Sequence, residues 1–129
     1  HALDRLGVTR EVTLIEQDVL KAPSRNAEFD SAIISEVLEH LERPDLALQT
    51  LRQALKPGGR LFINVPINSP APDHIYLWRT TEEFTSFVAD QGFDIESTQF
   101  LPMTGYSLAQ ALKHQLSISC VVIAARPRQ

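Results

Sequence analysis

The amino-acid sequence predicts an α/β fold built on a parallel sheet. Three observations lead to this prediction. Short apolar runs of strand length recur along the 129 residues, amphipathic segments separate them, and polar residues follow directly where several of the runs end. Strands that alternate with helices pair in parallel through right-handed crossovers. We therefore expect five strands in one sheet with helices on both faces.

The first elements are short. Residues 1–6 have leucines three positions apart and are predicted to end a helix, which Gly7 terminates in the left-handed conformation. A chain that starts inside a helix is expected to have lost residues upstream. The run 12–15 is the first predicted strand and leads into Asp18, and the polar segment 21–28 then breaks the periodicity.

The second predicted strand, 29–35, is apolar at its centre and is expected to be buried on both faces. It opens directly onto Glu36, Glu39 and His40, as the carboxyl end of a buried strand does at a ligand site. If these residues begin a helix, at about 100° per residue Glu39 and His40 lie about 60° and 40° to either side of Glu36, so all three share one face. The plainer interpretation is an amphipathic turn, with its apolar residues on the opposite side: Val37, Leu38 and Leu41.

The third unit is a helix followed by a strand and a long loop. Pro44 is predicted to start the helix, whose leucines repeat at helical spacing until the segment 56–59 stops it. A strand at 60–65 comes next. The proline-rich loop 68–74 is too long for a tight turn, so it is a candidate functional loop, and it ends at His74.

The last third of the chain contains two further helix and strand pairs. Residues 80–83, Thr-Thr-Glu-Glu, have the pattern of a capping box and predict a helix that Gly92 ends. A strand is predicted at 93–100, a short helix at 106–114 and a fifth strand at 117–125.

Composition narrows the class of protein. The net charge is −4, and lysines and arginines are scattered, so there is no electrostatic footprint for nucleic acid. No run approaches the roughly 18 apolar residues of a membrane span, and we expect a cytoplasmic protein. Cys120 is the sole cysteine, which excludes an internal disulfide and a cysteine metal cluster. Its apolar surroundings predict a small buried hydrophobic side chain.

Four stretches resemble, in order and spacing, the second half of class I S-adenosylmethionine-dependent methyltransferases. They are Phe29-Asp30, Glu36-Val37-Leu38-Glu39-His40, the segment 55–61 and the segment 84–93. The family's Rossmann-like sheet has seven strands, and the five predicted here look like its third to seventh. The resemblance therefore implies that residues 1–129 are the C-terminal portion of a single methyltransferase domain with an incomplete sheet.

The family's first two strands and its glycine-rich loop have no counterpart in this sequence. Glycine occurs at positions 7, 58, 59, 92 and 105, never as Gly-x-Gly-x-Gly. Two missing strands would leave unpaired main-chain groups on both sides of a gap in the sheet. We expect the functional polypeptide to contain about 50 or more further N-terminal residues, on the typical length of two strand–helix units, or a partner chain to complete the sheet.

The resemblance implies S-adenosylmethionine as cofactor and assigns several contacts to it. Asp18 matches the position whose carboxylate accepts a hydrogen bond from the adenine amine, and Val19 matches the one whose main-chain amide meets a ring nitrogen. Ser35 and Glu36, where the second strand ends, are the other predicted cofactor-binding residues. The alternative for Asp18 is an ordinary turn-capping aspartate.

A metal site is a second implication. Glu-x-x-Glu-His with a later histidine resembles the magnesium site of small-RNA 2′-O-methyltransferases, and a similar motif occurs in quinone-biosynthesis O-methyltransferases. The tentative ligands are Glu36, Glu39, His40 and His74. Carboxylates suit magnesium, while histidines favour manganese, iron or zinc. The same motif also occurs in this class without a metal, in which case His40 or His74 is the leading general base, or His74 is simply a solvated loop residue.

These implications lead to three hypotheses for function. The first is O-methylation of a small molecule. The second is RNA 2′-O-methylation, which the acidic charge opposes. The third is a non-catalytic remnant that binds a partner. Two groups of residues complete the predictions: Tyr76, Trp78 and Phe84 line an aromatic pocket or pack under the capped helix, and His1 and His114 are surface residues.

Overall fold

The computed structural model describes residues 12–13, 15–20 and 25–128. In this part of the chain there are four strands, three α-helices and one 3₁₀ turn, Leu38–His40. In chain order they are β1 (Phe29–Ser35), α1 (Pro44–Ala54), β2 (Leu55–Ile67), α2 (Thr81–Asp90), β3 (Asp94–Pro102), α3 (Leu108–Lys113) and β4 (Ile118–Ala125). None of the described helices combines the length and the apolar character needed to cross a membrane.

The four strands form one sheet in the order β1-β2-β4-β3. β1 and β2 are parallel, whereas β4 runs antiparallel to both β2 and β3. The prediction of parallel pairing throughout is therefore wrong for β4. The connection before it, residues 103–117, contains only the six-residue helix α3, and the chain returns beside β3 in the opposite direction.

The hydrophobic core lies on one face of this sheet. Alternate residues of β2 and β4 are buried there, and they pack with α1, α2 and α3. On the opposite face Ile33 is 74% exposed and Phe62 is 38% exposed. The expectation of helices on both faces is thus wrong for the described elements, and we call the uncovered side the open face.

β1 differs from its prediction in burial. It was expected to be buried on both faces, but Ile34 is its one buried residue. The reason is its position, because β1 is an edge strand in the described sheet and no described element packs on its open face.

The strand predicted at 12–15 is also wrong, since Val12, Thr13 and Ile15 lie outside any strand. Val12 and Ile15 are 40% and 53% exposed, and no described strand lies beside them to pair with. Leu14, the helix predicted at residues 1–6, Gly7 and His1 lie outside the described residues.

The local signals for the helices are confirmed. Pro44 occupies the first turn of α1. The Thr80 hydroxyl accepts a hydrogen bond from the Glu83 amide at 3.1 Å and so caps α2. Gly92 follows α2 with φ +90°, a left-handed conformation that favours glycine. His114 is exposed, as predicted.

β2 is longer than the predicted strand 60–65. It begins at Leu55, which pairs with Phe29 of β1, and the next pair joins Ser31 of β1 to Arg60, so residues 56–59 bulge out of register. Cys120 on β4 is fully buried, as predicted. Burial raises the pKa of its thiol to about 11, with the Glu82 charge adding to the effect.

Candidate functional site

The chain turns sharply where β1 ends. Glu36 has φ +54°, in the left-handed region that a non-glycine residue adopts at a cost of about 1–2 kcal/mol. Its main-chain N–H donates to the Asn64 carbonyl of β2 at 2.9 Å, which holds the turn. A 3₁₀ turn at Leu38–His40 follows instead of an α-helix.

This turn corrects the predicted common face. Glu39 is 1% exposed, whereas Glu36 is exposed, and Val37, expected on the apolar side, is 38% exposed. The left-handed residue at position 36 breaks the helical spacing on which the prediction depended. Glu39 is therefore buried and Glu36 exposed, although their carboxyl groups lie close enough for Glu36 to raise the pKa of Glu39.

The loop after β2 folds back onto the 3₁₀ turn. The main-chain N–H groups of Ile75 and Tyr76 both donate to the Glu39 carbonyl, at 2.8 Å and 3.0 Å. Another main-chain bond, from Asn68 to Trp78 at 2.7 Å, closes the base of the loop. These bonds place the His74 ring edge-on to the His40 ring, with 4.9 Å between ring centroids.

Glu39, His40 and His74 form a cluster whose possible ligand atoms all lie within 4.8 Å of one another. Nδ1 of His40 is 2.9 Å from the carbonyl oxygen of Asp73, and Nδ1 of His74 is 2.6 Å from that of Ser69. A carbonyl oxygen can only accept, so each Nδ1 carries a hydrogen. In the neutral rings each Nε2 is then left with a free lone pair. Oriented imidazoles of this kind can accept a proton or bind a metal.

The Glu39 carboxyl group is buried and lacks a hydrogen-bond partner for either oxygen among the described residues. Nε2 of His40 lies 3.5 Å from Oε1, too far for a well-formed hydrogen bond. Burial raises the pKa of Glu39, and the negative charge of Glu36 acts in the same direction. Buried polar atoms in proteins are normally satisfied, so this carboxyl group fits a site that receives a cation or a polar ligand.

His40 titrates above its ordinary value. Its pKa is raised chiefly by the hydrogen bond to the Asp73 carbonyl, and the negative charges of Asp73, Glu39 and Glu36 add to this effect. A raised pKa makes His40 a stronger base once it is neutral.

Three of the four predicted metal ligands are thus brought together, and Glu36 is not among them. Its Oε1 accepts from Nδ2 of Asn64 at 3.3 Å, and Oδ1 of Asn64 accepts from the Ser119 hydroxyl at 2.7 Å. Sequence reasoning missed Asn64 and Ser119. The available signal was that each is a polar residue within an otherwise apolar strand run.

Asp18 and Val19 lie elsewhere. Oδ1 of Asp18 accepts from the Leu20 amide at 2.9 Å, which is the turn-capping arrangement. Val19 lines a hollow with Phe29, the first residue of β1, whereas Glu36 follows the last residue, about 20 Å away along the strand. The described residues of the predicted strand 12–15, which would carry Asp18 to the carboxyl edge of the sheet, lie outside any strand. The adenine contacts of Asp18 and Val19 remain predictions.

The aromatic residues after the loop mainly form core. Trp78 is 1% exposed and packs edge-on against the fully buried Phe84, with ring centroids 4.9 Å apart. Tyr76 is 40% exposed and lies 5.2 Å from Trp78, between centroids. Packing under the capped helix is therefore the correct alternative for Trp78 and Phe84.

Comparison with known proteins finds similarity to methyltransferases. Residues 1–63 match the family model described as a methyltransferase domain. A ubiquinone/menaquinone biosynthesis C-methyltransferase of Pseudomonas putida is 28% identical over 103 residues, which cover 80% of this chain and 34% of the relative. A mitochondrial ubiquinone biosynthesis O-methyltransferase of Rattus norvegicus is 28% identical over 106 residues, covering 64% and 31%. The chain spans about a third of the length of these relatives.

Solved structures share the fold. The [4+2]-cyclase SpnF matches with a TM-score of 0.80 and 16% identity, over 99% of this chain and 61% of that one. A Burkholderia thailandensis 1,6-didemethyltoxoflavin-N1-methyltransferase, solved with S-adenosylhomocysteine, matches with a TM-score of 0.73 and 21% identity, over 98% and 55%. The chain is thus similar in sequence to methyltransferases, over residues 1–63 and in the named relatives, and it shares the Rossmann-like fold of the class I S-adenosylmethionine-dependent enzymes.

Proposed function

We propose that the protein transfers the methyl group of S-adenosylmethionine to a hydroxyl group of a small molecule. The observation that carries this proposal is the cluster of Glu39, His40 and His74 at the carboxyl end of β1, with two imidazole Nε2 atoms free to accept a proton. Methyl transfer is an in-line displacement at a sulfonium, so the protein has to align the reactants and remove the proton of a hydroxyl acceptor.

Each residue has a proposed role. His40 is the general base, since its Nδ1 is held by Asp73 and its pKa is raised. His74 lies beside it and shares the proton or positions the acceptor. Ser35 and Glu36 are proposed to face the cofactor, because they end β1 at the edge of the sheet where ligands bind in such folds.

The acceptor is proposed to be a phenol or quinol. Both named relatives act in ubiquinone biosynthesis according to their names. The net charge of −4 weighs against RNA as the acceptor. The Pseudomonas putida relative is named a C-methyltransferase, so methylation of a ring carbon is the second candidate.

The test uses S-adenosylmethionine labelled with ¹³C in its methyl group and a dihydroxybenzene acceptor. The methyl resonance of the product distinguishes a methoxy group from a methyl on carbon. We expect a methoxy product, and we expect His40→Gln and His74→Gln to lower kcat by about 10²-fold or more. His114→Gln, at an exposed histidine that directly follows α3, is the matched control. Unchanged rates in His40→Gln and His74→Gln would contradict the proposed base.

A divalent metal is a second proposal for the same cluster. The residues present fit one, because the Glu39 carboxyl group is orphaned and both histidine Nε2 atoms are free. Glu39, His40 and His74 would hold the ion. When bound, it would lower the pKa of the acceptor hydroxyl. Calorimetry with Mn²⁺ tests this without an activity assay: we expect Glu39→Gln to abolish a heat of binding seen in the unchanged protein, and no binding in either form would refute the metal.

The non-catalytic alternative makes a separate prediction. A remnant that only binds a partner should show no heat of binding with S-adenosylhomocysteine, whereas a methyltransferase should bind this product. Binding without transfer to any hydroxyl or carbon acceptor would instead favour another activity on the same fold, as the name of the cyclase neighbour illustrates.

A further inference from the structure

A line of polar side chains crosses three adjacent strands on the open face of the sheet. Ser119 of β4 contacts Asn64 of β2, and Asn64 contacts Ser35 and Glu36 at the end of β1. We propose that Asn64 and Ser119 are positioning residues that hold the Glu36 carboxylate in place for the cofactor. This inference rests on the proposed function.

The chemistry of the groups fixes the direction of the hydrogen bonds. An ionised carboxylate can only accept, so Nδ2 of Asn64 must face Oε1 of Glu36, at 3.3 Å. Oδ1 of Asn64 then faces Ser119, whose hydroxyl must donate, at 2.7 Å. The Ser119 hydroxyl therefore determines which way the Asn64 amide points, and the amide in turn presents a donor to Glu36.

Asn64 holds Glu36 at two points. The main-chain carbonyl oxygen of Asn64 accepts from the Glu36 main-chain N–H at 2.9 Å, while the Asn64 side chain donates to the Glu36 carboxylate. These bonds keep Glu36 at φ +54° despite the cost of that conformation. A strained residue that its neighbours hold at two points has a restricted side-chain direction, which is what a cofactor contact requires.

The Asn64 side chain acts through Glu36 and not on a ligand. One N–H of Nδ2 is directed at Glu36 and the other at the Ser35 hydroxyl, 3.5 Å away, and Oδ1 is engaged with Ser119. Both donors are thus used within the protein. Ser119 is further from the site, so its contribution reaches the cofactor only through Asn64.

The experiment measures cofactor affinity and kinetics in paired variants of the protein. Asn64→Asp keeps the shape but replaces the donor by an oxygen next to Glu36, and we expect the Kd for S-adenosylhomocysteine to rise about tenfold or more. Ser119→Ala should raise Kd about threefold to tenfold by the loss of one hydrogen bond. Ser119→Thr keeps the hydroxyl and should restore the affinity. Ser97→Ala, on the exposed strand β3, is the matched control.

Separate effects on KM and kcat distinguish a positioning role from a general loss of structure. We expect a higher KM for S-adenosylmethionine in Ser119→Ala with kcat at saturating cofactor unchanged. A Kd in Asn64→Asp equal to that of the unchanged protein would overturn the inference, as would equal losses in Ser119→Ala and Ser119→Thr. Failure of the unchanged protein to bind the cofactor is a distinct result, which would overturn the proposed function together with this inference.

Discussion

Replacing the buried Glu39 with methionine should stabilise the protein. Methionine has similar length and shape, and it removes two buried oxygens that have no hydrogen-bond partner among the described residues. An unsatisfied buried polar group costs about 1–3 kcal/mol, so Glu39→Met should raise the free energy of unfolding by about that amount. For a domain of this size the gain corresponds to a rise in Tm of about 3–5 °C per kcal/mol.

The stabilisation should depend on pH. Because burial raises the pKa of Glu39 above its ordinary value of 4.5, the folded protein binds this proton more tightly than the unfolded chain does. The stability of the unchanged protein therefore falls as pH rises from 4.5 through the folded-state pKa, whereas Glu39→Met lacks this dependence. The difference in stability between the two proteins should be smaller at pH 4 than at pH 7.

Thermal and urea unfolding in the presence of a chelator measure both effects. Glu42→Met, at an exposed glutamate three residues away, is the control and should change stability by no more than about 0.5 kcal/mol. A loss of stability in Glu39→Met at pH 7 would refute the reasoning, because it would mean that the carboxylate has a stabilising partner. The proposed metal role of Glu39 predicts that the same variant also loses Mn²⁺ binding, so that the gain in stability accompanies a loss of the proposed function.

Two further predictions concern the scaffold. Gly92→Ala should lower the free energy of unfolding by about 1–3 kcal/mol, since residue 92 has φ +90° and an added Cβ would lie 2.7 Å from Nε of Arg52. Gly105→Ala is the control, because residue 105 has φ +91° but no atom within 4 Å of an added Cβ, and it should cost less in the same urea titration. An equal cost in the two variants would exclude the steric contribution. Cys120 should not react with a thiol reagent at pH 8 in the folded protein, because it is buried and its pKa is raised to about 11; reaction as fast as in urea would contradict its burial.

The elements that the sequence predicted correctly are those with local signals. Pro44, the Thr80 cap and Gly92 each act within one turn of the chain, so their effects are visible in a short window of sequence. The antiparallel direction of β4 is instead a property of its pairing with β2 and β3, which no short window of sequence shows. The predicted run 12–15 required a neighbouring strand, and pairing is a tertiary property that apolar composition does not reveal.

The candidate site was predictable in part for a similar reason. The sequence placed His40 and Glu39 at the end of a strand, but the burial of Glu39 beside an exposed Glu36 follows from one left-handed residue. The residue types in Glu-Val-Leu-Glu-His do not predict a left-handed conformation at its first residue. The approach of His74 to His40 depends on main-chain hydrogen bonds between two segments that are far apart in the sequence. The residue types in these segments do not reveal such bonds.

The main-chain anchoring of the loop makes the placement of His74 independent of the side chains that follow it. Because Ile75 and Tyr76 are held through their N–H groups, substitution of their side chains leaves these bonds and the placement of His74 intact. Both side chains are substantially exposed beside the histidine pair. Under the proposed function, substitution at these two positions would change which acceptor fits while the proposed base stays in place, so an enzyme of this design would acquire new substrates by single steps without first losing its chemistry.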